Sequence, residues 1–284
     1  MQVEIPYYQV NLNAEGEQAE IYTAMLADAG FESFLEEGSQ LQAFAQANDF
    51  NSVMVQELLT ELRQNNSLNL EIIPHKKENW NQSWESHFEP VLIGDQVYIR
   101  AEHHVARPEV AIELVIQPKM SFGTGHHDTT SLMIQALLGI DLRGLRVLDA
   151  GTGTGVLAMV AARRGATYTA AFDHEDWSIE NALENAERNN LGQIDFQCAD
   201  IADYKADAPF EVVLANITRN LVMANLARLA DWTIPNGHLL LSGFYEHDTH
   251  QVAQAAEALG LRQTDLLTQK GAAEPRWCAL HLSK

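Results

Sequence analysis

The sequence predicts an α/β protein in two parts: a small α+β domain, then a larger domain built on a doubly wound, mainly parallel sheet. Three observations carry the prediction. The first 76 residues read strand, helix, strand, strand, helix, strand. From Val110 on, apolar runs of strand length alternate with helical stretches, as βαβ units do. A glycine run, DAGTGTG at Asp149–Gly155, joins one such strand to the next helix, where open α/β sheets hold their ligands.

The small domain opens with VEIPYYQVNL, a strand. In EQAEIYTAMLADAG, Tyr22, Met25, Leu26 and Ala29 share one helical face, and Gly30 is a stop signal. ESFLEE and LQAFAQ flank Gly38-Ser39-Gln40 as the arms of a hairpin. Val55, Leu58, Leu59 and Leu62 stripe a second helix, and LNLEIIP closes as a strand. The order is the ferredoxin-like, split-βαβ pattern, and it sets this domain at residues 1–76.

Residues 77–107 read as a connector and pre-core segment. Trp80, Trp84 and Phe88 recur at i, i+4 and i+8, which suits a helix packed on a neighbour and ended by Pro90. His103-His104 are half a metal site with no Cys, Asp or Glu at ligand spacing, so no metal is expected. The larger domain takes residues 108–284, with VAIELVI, RVLDA, YTAAFD, DFQCAD, EVVLANI and GHLLLSGF as strands. LRQTDLLTQ and RWCALHLS read as a final antiparallel pair.

Hydrophobic content of 46% and charged content of 20% suit a soluble globular protein. No membrane-spanning run or export leader is read, so a cytoplasmic protein is expected. Cys198 and Cys278 have no CxxC neighbour, and reduced, buried thiols are expected. A formal charge of −21 argues against direct nucleic acid binding, which needs a clustered basic surface, and suits a basic partner. Residues 1–76 hold Arg63 and Lys76 against twelve Asp and Glu, a balance of −10. An RNA-binding ferredoxin-like domain needs aromatic platforms framed by basic residues, so docking of a protein is the better reading.

The glycine loop narrows the ligand. Gly151, Gly153 and Gly155 let the backbone turn sharply and approach a ligand closely. The dinucleotide pattern GxGxxG fails at Val156, and the Gly-Lys-Ser/Thr ending of a P-loop is absent. Asp149, just before the loop, suits a cationic amino-acid end. Asp173, ending YTAAFD, can take both ribose hydroxyls, and Asp200, in CAD, stands where an adenine amino group would lie. An adenosyl group without phosphates describes S-adenosylmethionine.

Ahead of that loop runs MSFGTGHHDTTSLMIQALL, from Met120. With VLDAGTGTGVLAMVAA and LANITRNLV, it resembles the bacterial ribosomal protein L-eleven methyltransferase family, over the whole chain. FGTGHHDTT is the most specific part; the glycine loop is common to many methyltransferases. The resemblance implies a class I, Rossmann-like methyltransferase domain that uses S-adenosylmethionine. A ferredoxin-like domain for substrate recognition and a flexible connector would precede it. It implies methylation of lysine side-chain and N-terminal amino groups of ribosomal protein L-eleven. Cofactor contacts carry over to Thr130, Gly151, Asp173 and Asn216, with Phe122 and the Gly123-Thr124-Gly125 backbone along the methyl-transfer side. Gly153 and Asp200 join the cofactor set from the loop and strand tip described above. Asn216 would also orient the amine or the cofactor.

Two departures stand out. DHEDW follows the ribose position where many relatives read Ile-Asp-Pro, and NITRNL lacks the Asn-Pro-Pro-aromatic motif of many amino-group methyltransferases. Methylation of another protein lysine would use the same cofactor site. A non-catalytic binding factor for a basic ribosomal protein would bind without turnover. Val156 speaks against an NAD-dependent dehydrogenase and the acidic first domain against a nucleic-acid methyltransferase. For His126 and His127, loop hydrogen bonding or packing is favoured over proton acceptance.

Overall fold

The computed structural model describes residues 7–64, 68–75, 88–117, 119, 121–269, 271 and 275–284. The chain divides into two compact units, Met1–Trp80 and Asn81–Lys284.

The first unit follows the βαββαβ order. Strands β1 (Tyr7–Asn13), β2 (Ser33–Glu37), β3 (Gln40–Gln46) and β4 (Leu70–His75) form an antiparallel sheet in the order β2-β3-β1-β4. Helix α1 (Glu17–Ala29), a short α2 (Ala47–Phe50) and α3 (Val53–Arg63) supply the rest. Gly30 ends α1 in a left-handed conformation, and Phe31 N–H reaches back to the Leu26 carbonyl. Alternation along β1 sends Val10 and Leu12 into the core with Leu26, Leu41, Val55 and Leu59. Gln9 and Asn11 point the other way and bond to each other at 2.6 Å. The carboxamides of Gln9 and Asn11 therefore occupy the central strand's outer face, where an RNA-binding version would carry aromatic platforms.

The second unit holds two sheets. The larger has seven strands in the order β10-β9-β8-β11-β12-β14-β13. These are β8 (Arg146–Ala150), β9 (Tyr168–Asp173), β10 (Asp195–Cys198), β11 (Phe210–Asn216), β12 (Thr233–Tyr245), β13 (Arg262–Thr268) and β14 (Trp277–Ser283). The first five in that order run parallel; β14 and β13 are antiparallel additions. Helices α4 (Asp128–Leu138), α5 (Val156–Arg163), α6 (Asp176–Arg188), α7 (Arg219–Trp232) and α8 (Thr249–Glu257) complete the domain. Both sheet faces are covered, which is why its strands read as near-continuous apolar runs. Val147, Val212, Leu214 and Leu240 pack on one side with Met133, Leu137 and Met159. Leu148, Val213, Leu239 and Leu241 pack on the other with Leu226, Leu229 and Val252.

Three expectations need correction. VAIELVI does not belong to the large sheet. Its strand, β7 (Ile112–Val115), pairs with β6 (Val97–Arg100), which pairs with β5 (Val91–Ile93), in a separate three-stranded sheet. The reason is that β7's other edge is sealed by side-chain amides from α6 and its C-terminal cap instead of a strand: Asn189 bonds both Val115 N–H (2.9 Å) and Val115 C=O (2.6 Å). Secondly, β5 and β6 lie inside the segment read as a connector. A turn at Gly94 and Asp95, both at positive φ, joins them, and Ile93, Val97 and Ile99 share a core with Leu132 and Met133 of α4. Thirdly, Cys278 is buried, which pushes its thiol up to about 11, but Cys198 is exposed because β10 is an edge strand. The expected helix through Trp80 and Trp84 lies outside the described residues; Phe88 is buried in the core with β5 to β7.

On β12 and β14, His238 Nδ1 and His281 Nε2 lie 3.0 Å apart. Burial lowers the pKa of both, and His238 lowers His281 further.

Candidate active site

The large sheet grows one way from β8 to β10 and the other way from β11 to β12. The crevice at the carboxyl ends of β8 and β11 is therefore its switch point, where such sheets take ligands. Both glycine-rich loops lie there.

The loop after β8 is folded against the tip of β9. Gly151 N–H donates to Phe172 C=O at 2.9 Å, and Gly153 N–H donates to Asp173 Oδ2 at 3.0 Å. Asp173 Oδ1 accepts from Glu175 N–H at 3.1 Å, so the carboxylate is fixed while keeping lone pairs for two hydroxyls. The first loop sits directly on the second. Thr154 N–H donates to Phe122 C=O at 2.9 Å, and its hydroxyl donates to Gly123 C=O at 2.8 Å. A Cβ on Gly153 would stand 2.2 Å from the Phe122 oxygen, so only glycine permits this approach.

Thr130, in the first turn of α4, and Asn216, the last residue of β11, meet across the crevice at 3.4 Å. Both are buried. The structure thus brings together two residues 86 positions apart that the sequence suggested separately. Ile217, next in chain, is held between two more glycines. A Cβ on Gly151 would come within 2.5 Å of the Ile217 side chain, and one on Gly243 within 2.0 Å of its carbonyl oxygen. Asp200 lies beyond the end of β10, exposed, its Oδ1 accepting from Ala202 N–H at 2.7 Å to close a turn. In DHEDW, His174 stands beside Asp173, its Nδ1 3.3 Å from Asp173 Oδ1 and its Nε2 2.9 Å from Glu175.

Asp149 is wholly buried. Burial pushes its carboxyl up to about 7, opposed by the Thr152 hydroxyl and the Ala158 amide and reinforced by the charge of Asp173. Thr152 Oγ1 donates to Asp149 Oδ2 at 2.6 Å, but Oδ1 has no partner. Asn216 Oδ1 is likewise buried and unpartnered. Such atoms are rare, and both are acceptors with capacity left for a cationic or N–H-bearing ligand. The donor set fits an adenosyl amino acid: a carboxylate for an ammonium, a second for ribose hydroxyls, and a loop without side chains for close approach.

An aromatic wall flanks the first loop, and Phe122 opens it, half exposed. Its ring centroid is 5.0 Å from His127, His127 is 4.9 Å from Trp277, and Trp277 stacks on Tyr245 at 4.1 Å. Sequence reasoning missed Trp277 and Tyr245; they are opposite one another in the β12–β14 register, which no local pattern announces. His127 caps α4, its Nδ1 facing Thr129 Oγ1 at 2.8 Å, and His126 lies edge-on to Phe88 at 4.6 Å. His104 Nδ1 accepts from Ala101 N–H at 3.1 Å and closes a turn. Among the described residues, no three His, Cys, Asp or Glu are grouped to hold a metal ion.

Comparison with known proteins shows the family. A family model described as ribosomal protein L11 methyltransferase (PrmA) matches residues 7–284. The ribosomal protein L11 methyltransferase of Porphyromonas gingivalis is 40% identical over 271 residues, covering 93% of this chain and 90% of that one. The corresponding protein of Phocaeicola vulgatus is 36% identical over 244 residues, covering 85% and 87%. The crystal structure of a ribosomal protein L11 methylase from Lactobacillus delbrueckii subsp. bulgaricus aligns with TM-score 0.61 at 25% identity, covering 70% of this chain and 98% of that one. The chain belongs to the ribosomal protein L11 methyltransferase family, a class I family that uses S-adenosylmethionine.

Proposed function

We propose that this protein methylates lysine side-chain and N-terminal amino groups of ribosomal protein L11, with the crevice between β8 and β11 as its transfer site. The observation that carries the reading is the buried Thr130–Asn216 pair beside the glycine loop, with the Asn216 carbonyl left open. We assign the cofactor to Gly151 and Gly153 through their backbone, to Asp173 at the ribose and to Asp149 at the amino-acid end. Thr130 and Phe122 close over it, and Asp200 edges the adenine. When bound, S-adenosylmethionine supplies an electrophilic methyl group on a sulfonium.

The chain's own residues prepare the amine. A free lysine has a pKa of about 10.4, and its ammonium has no lone pair to attack with. Phe122, His127, Trp277 and Tyr245 form a surface that strips water from the side chain, which favours the neutral amine. Asn216 Oδ1 accepts a hydrogen bond from the amine N–H and turns its lone pair toward the methyl group; fixing that orientation lowers the entropic barrier. We assign docking of the basic substrate to the acidic first unit. We place the reaction in the cytoplasm; no described helix is long and apolar enough to cross a membrane.

The test is incubation with labelled S-adenosylmethionine and purified ribosomal protein L11, with label mapped by mass spectrometry. Methylated amino groups, lost in Asp173→Ala, are the expected result. Cofactor binding without label on this protein would redirect the search to other substrates.

A further inference from the structure

Helix α6 and its C-terminal cap carry asparagine at every fourth position, Asn181, Asn185 and Asn189, and all three are buried. Together they seal the free edge of β7 and the two residues beyond it. Asn189 pairs with both backbone groups of Val115, as a neighbouring strand would. Asn181 Nδ2 donates to Gln117 C=O at 3.2 Å. Asn185 does something different. Its Oδ1 accepts from Gln117 N–H at 2.8 Å, while its Nδ2 donates to Thr154 C=O at 3.0 Å. Thr154 is the residue that holds the first loop, through Phe122 C=O and Gly123 C=O.

A circuit of hydrogen bonds results. It runs from Gln117 through the Asn185 carboxamide to Thr154 and across to Phe122 and Gly123. One side chain thereby sets the spacing between the cofactor loop and the start of the loop that walls the amine. A carboxamide suits this task because it offers a donor and an acceptor on one rigid plane. Thr154 C=O and Gln117 N–H are also backbone groups that would otherwise need other partners. We infer that Asn185 is a positioning residue for methyl transfer, acting through Thr154 and touching neither cofactor nor substrate. The inference rests on the reading that the Asp149–Gly155 loop carries S-adenosylmethionine.

Asn189 provides the internal control, because it makes the same kind of strand contact but none to the glycine loop. The experiment compares the full-length Asn185→Ala, Asn189→Ala, Thr154→Val and Asp173→Ala proteins with the parent. Cofactor affinity is read by calorimetry, transfer by steady-state kinetics with both substrates varied, and folding by thermal melts. Asn185→Ala is expected to weaken cofactor binding about tenfold and to lower kcat at saturation about tenfold. A purely structural lesion would not lower kcat among the molecules that remain folded. Asn189→Ala is expected to melt lower yet keep both parameters within twofold. Thr154→Val removes the hydroxyl bond to Gly123 and leaves the N–H bond to Phe122; it is expected to lower both parameters in the same direction by a smaller factor, about threefold, and an Asn185→Ala/Thr154→Val double variant to fall short of the product of the two single effects. If Asn185→Ala does not fold, Thr154→Val and its contrast with Asn189→Ala decide the matter. Parent-like binding and kcat in Asn185→Ala, or equal losses in Asn189→Ala, overturn the inference alone provided Asp173→Ala still loses the cofactor. If Asp173→Ala binds as the parent does, or the parent does not bind, the site reading falls and this inference with it.

Discussion

Replacing Gly153 with alanine tests the contact between the two loops. Two costs follow from the structure. Gly153 has φ +54, and an alanine forced into the left-handed region costs about 1–2 kcal/mol. The added Cβ would also stand 2.2 Å from the Phe122 oxygen, against ordinary contact from 3.4 Å. The first loop must back away by more than an ångström, and the 2.9 Å bond from Thr154 N–H is lost, at about 1 kcal/mol. Gly144→Ala separates the two costs: Gly144 has φ +81, but nothing lies within 4 Å of the position its new methyl would take. With roughly 2–4 °C per kcal/mol for a domain of this size, Gly153→Ala should melt about 4–12 °C below the parent. Gly144→Ala should lose about 2–8 °C, always the smaller change. Gly153→Ala should also bind S-adenosylmethionine about tenfold more weakly, because Gly153 N–H fixes Asp173. Scanning fluorimetry and calorimetry read both quantities. Equal melting points for the two variants would show that the loops do not rest on each other as described.

Asn216→Ala removes the open carbonyl and should lower kcat about a hundredfold with a smaller effect on cofactor affinity, as single-turnover and binding measurements would report. Asp149 has a folded-state pKa of about 7 against an ordinary carboxyl value of 3.8. The folded protein therefore holds the extra proton between those values, and this residue's contribution to stability falls as pH rises from about 4 to 7. Asp149→Asn removes that slope, so without cofactor its urea midpoint should gain on the parent's between pH 5 and pH 8. The His238–His281 pair has the opposite sign. Both pKa values are lowered, so the unfolded chain takes up protons first and stability falls as pH drops below about 6.5. His281→Gln should flatten that fall in thermal melts from pH 7.5 to pH 5.

Much of this was legible in the residues. The βαββαβ unit followed from helical stripes and a hairpin turn, and four of the five parallel strands announced themselves as apolar runs because both sheet faces are covered there; β10, at the edge, is partly exposed. The glycine loop and the strand-tip Asp173 could be picked out from residue type and position, because a tight turn at a strand end restricts both; Thr130 and Asn216 came only with the family resemblance. The small sheet was not read. Its strands β5 and β6 have three and four residues, too short for a period to show, although Gly94-Asp95 between apolar runs was a usable turn signal. VAIELVI looked like a sheet strand, and it is one; which sheet it joins depends on asparagine amides at 185 and 189, far along the chain. The stripe of Asn181, Asn185 and Asn189 was visible as a four-residue spacing, but its targets are backbone groups, which leave no trace in sequence. Trp277 and Tyr245 meet only through strand register.

The seat of Ile217 also bears on how such a site can drift. Gly151, Ile217 and Gly243 come from three separate stretches of chain, yet none has room to grow alone. A side chain at either glycine meets Ile217 or its backbone, and a larger residue at 217 meets the glycines. Single steps to a larger residue are thereby closed at all three positions. Growth must arrive in linked pairs, or be diverted to the rim, where His174, Asp176 and Trp177 stand exposed. The interior of the crevice thus resists enlargement for a steric reason, independent of the chemistry it performs, and larger side chains in this lineage should accumulate around the exposed turn at 174–177 first.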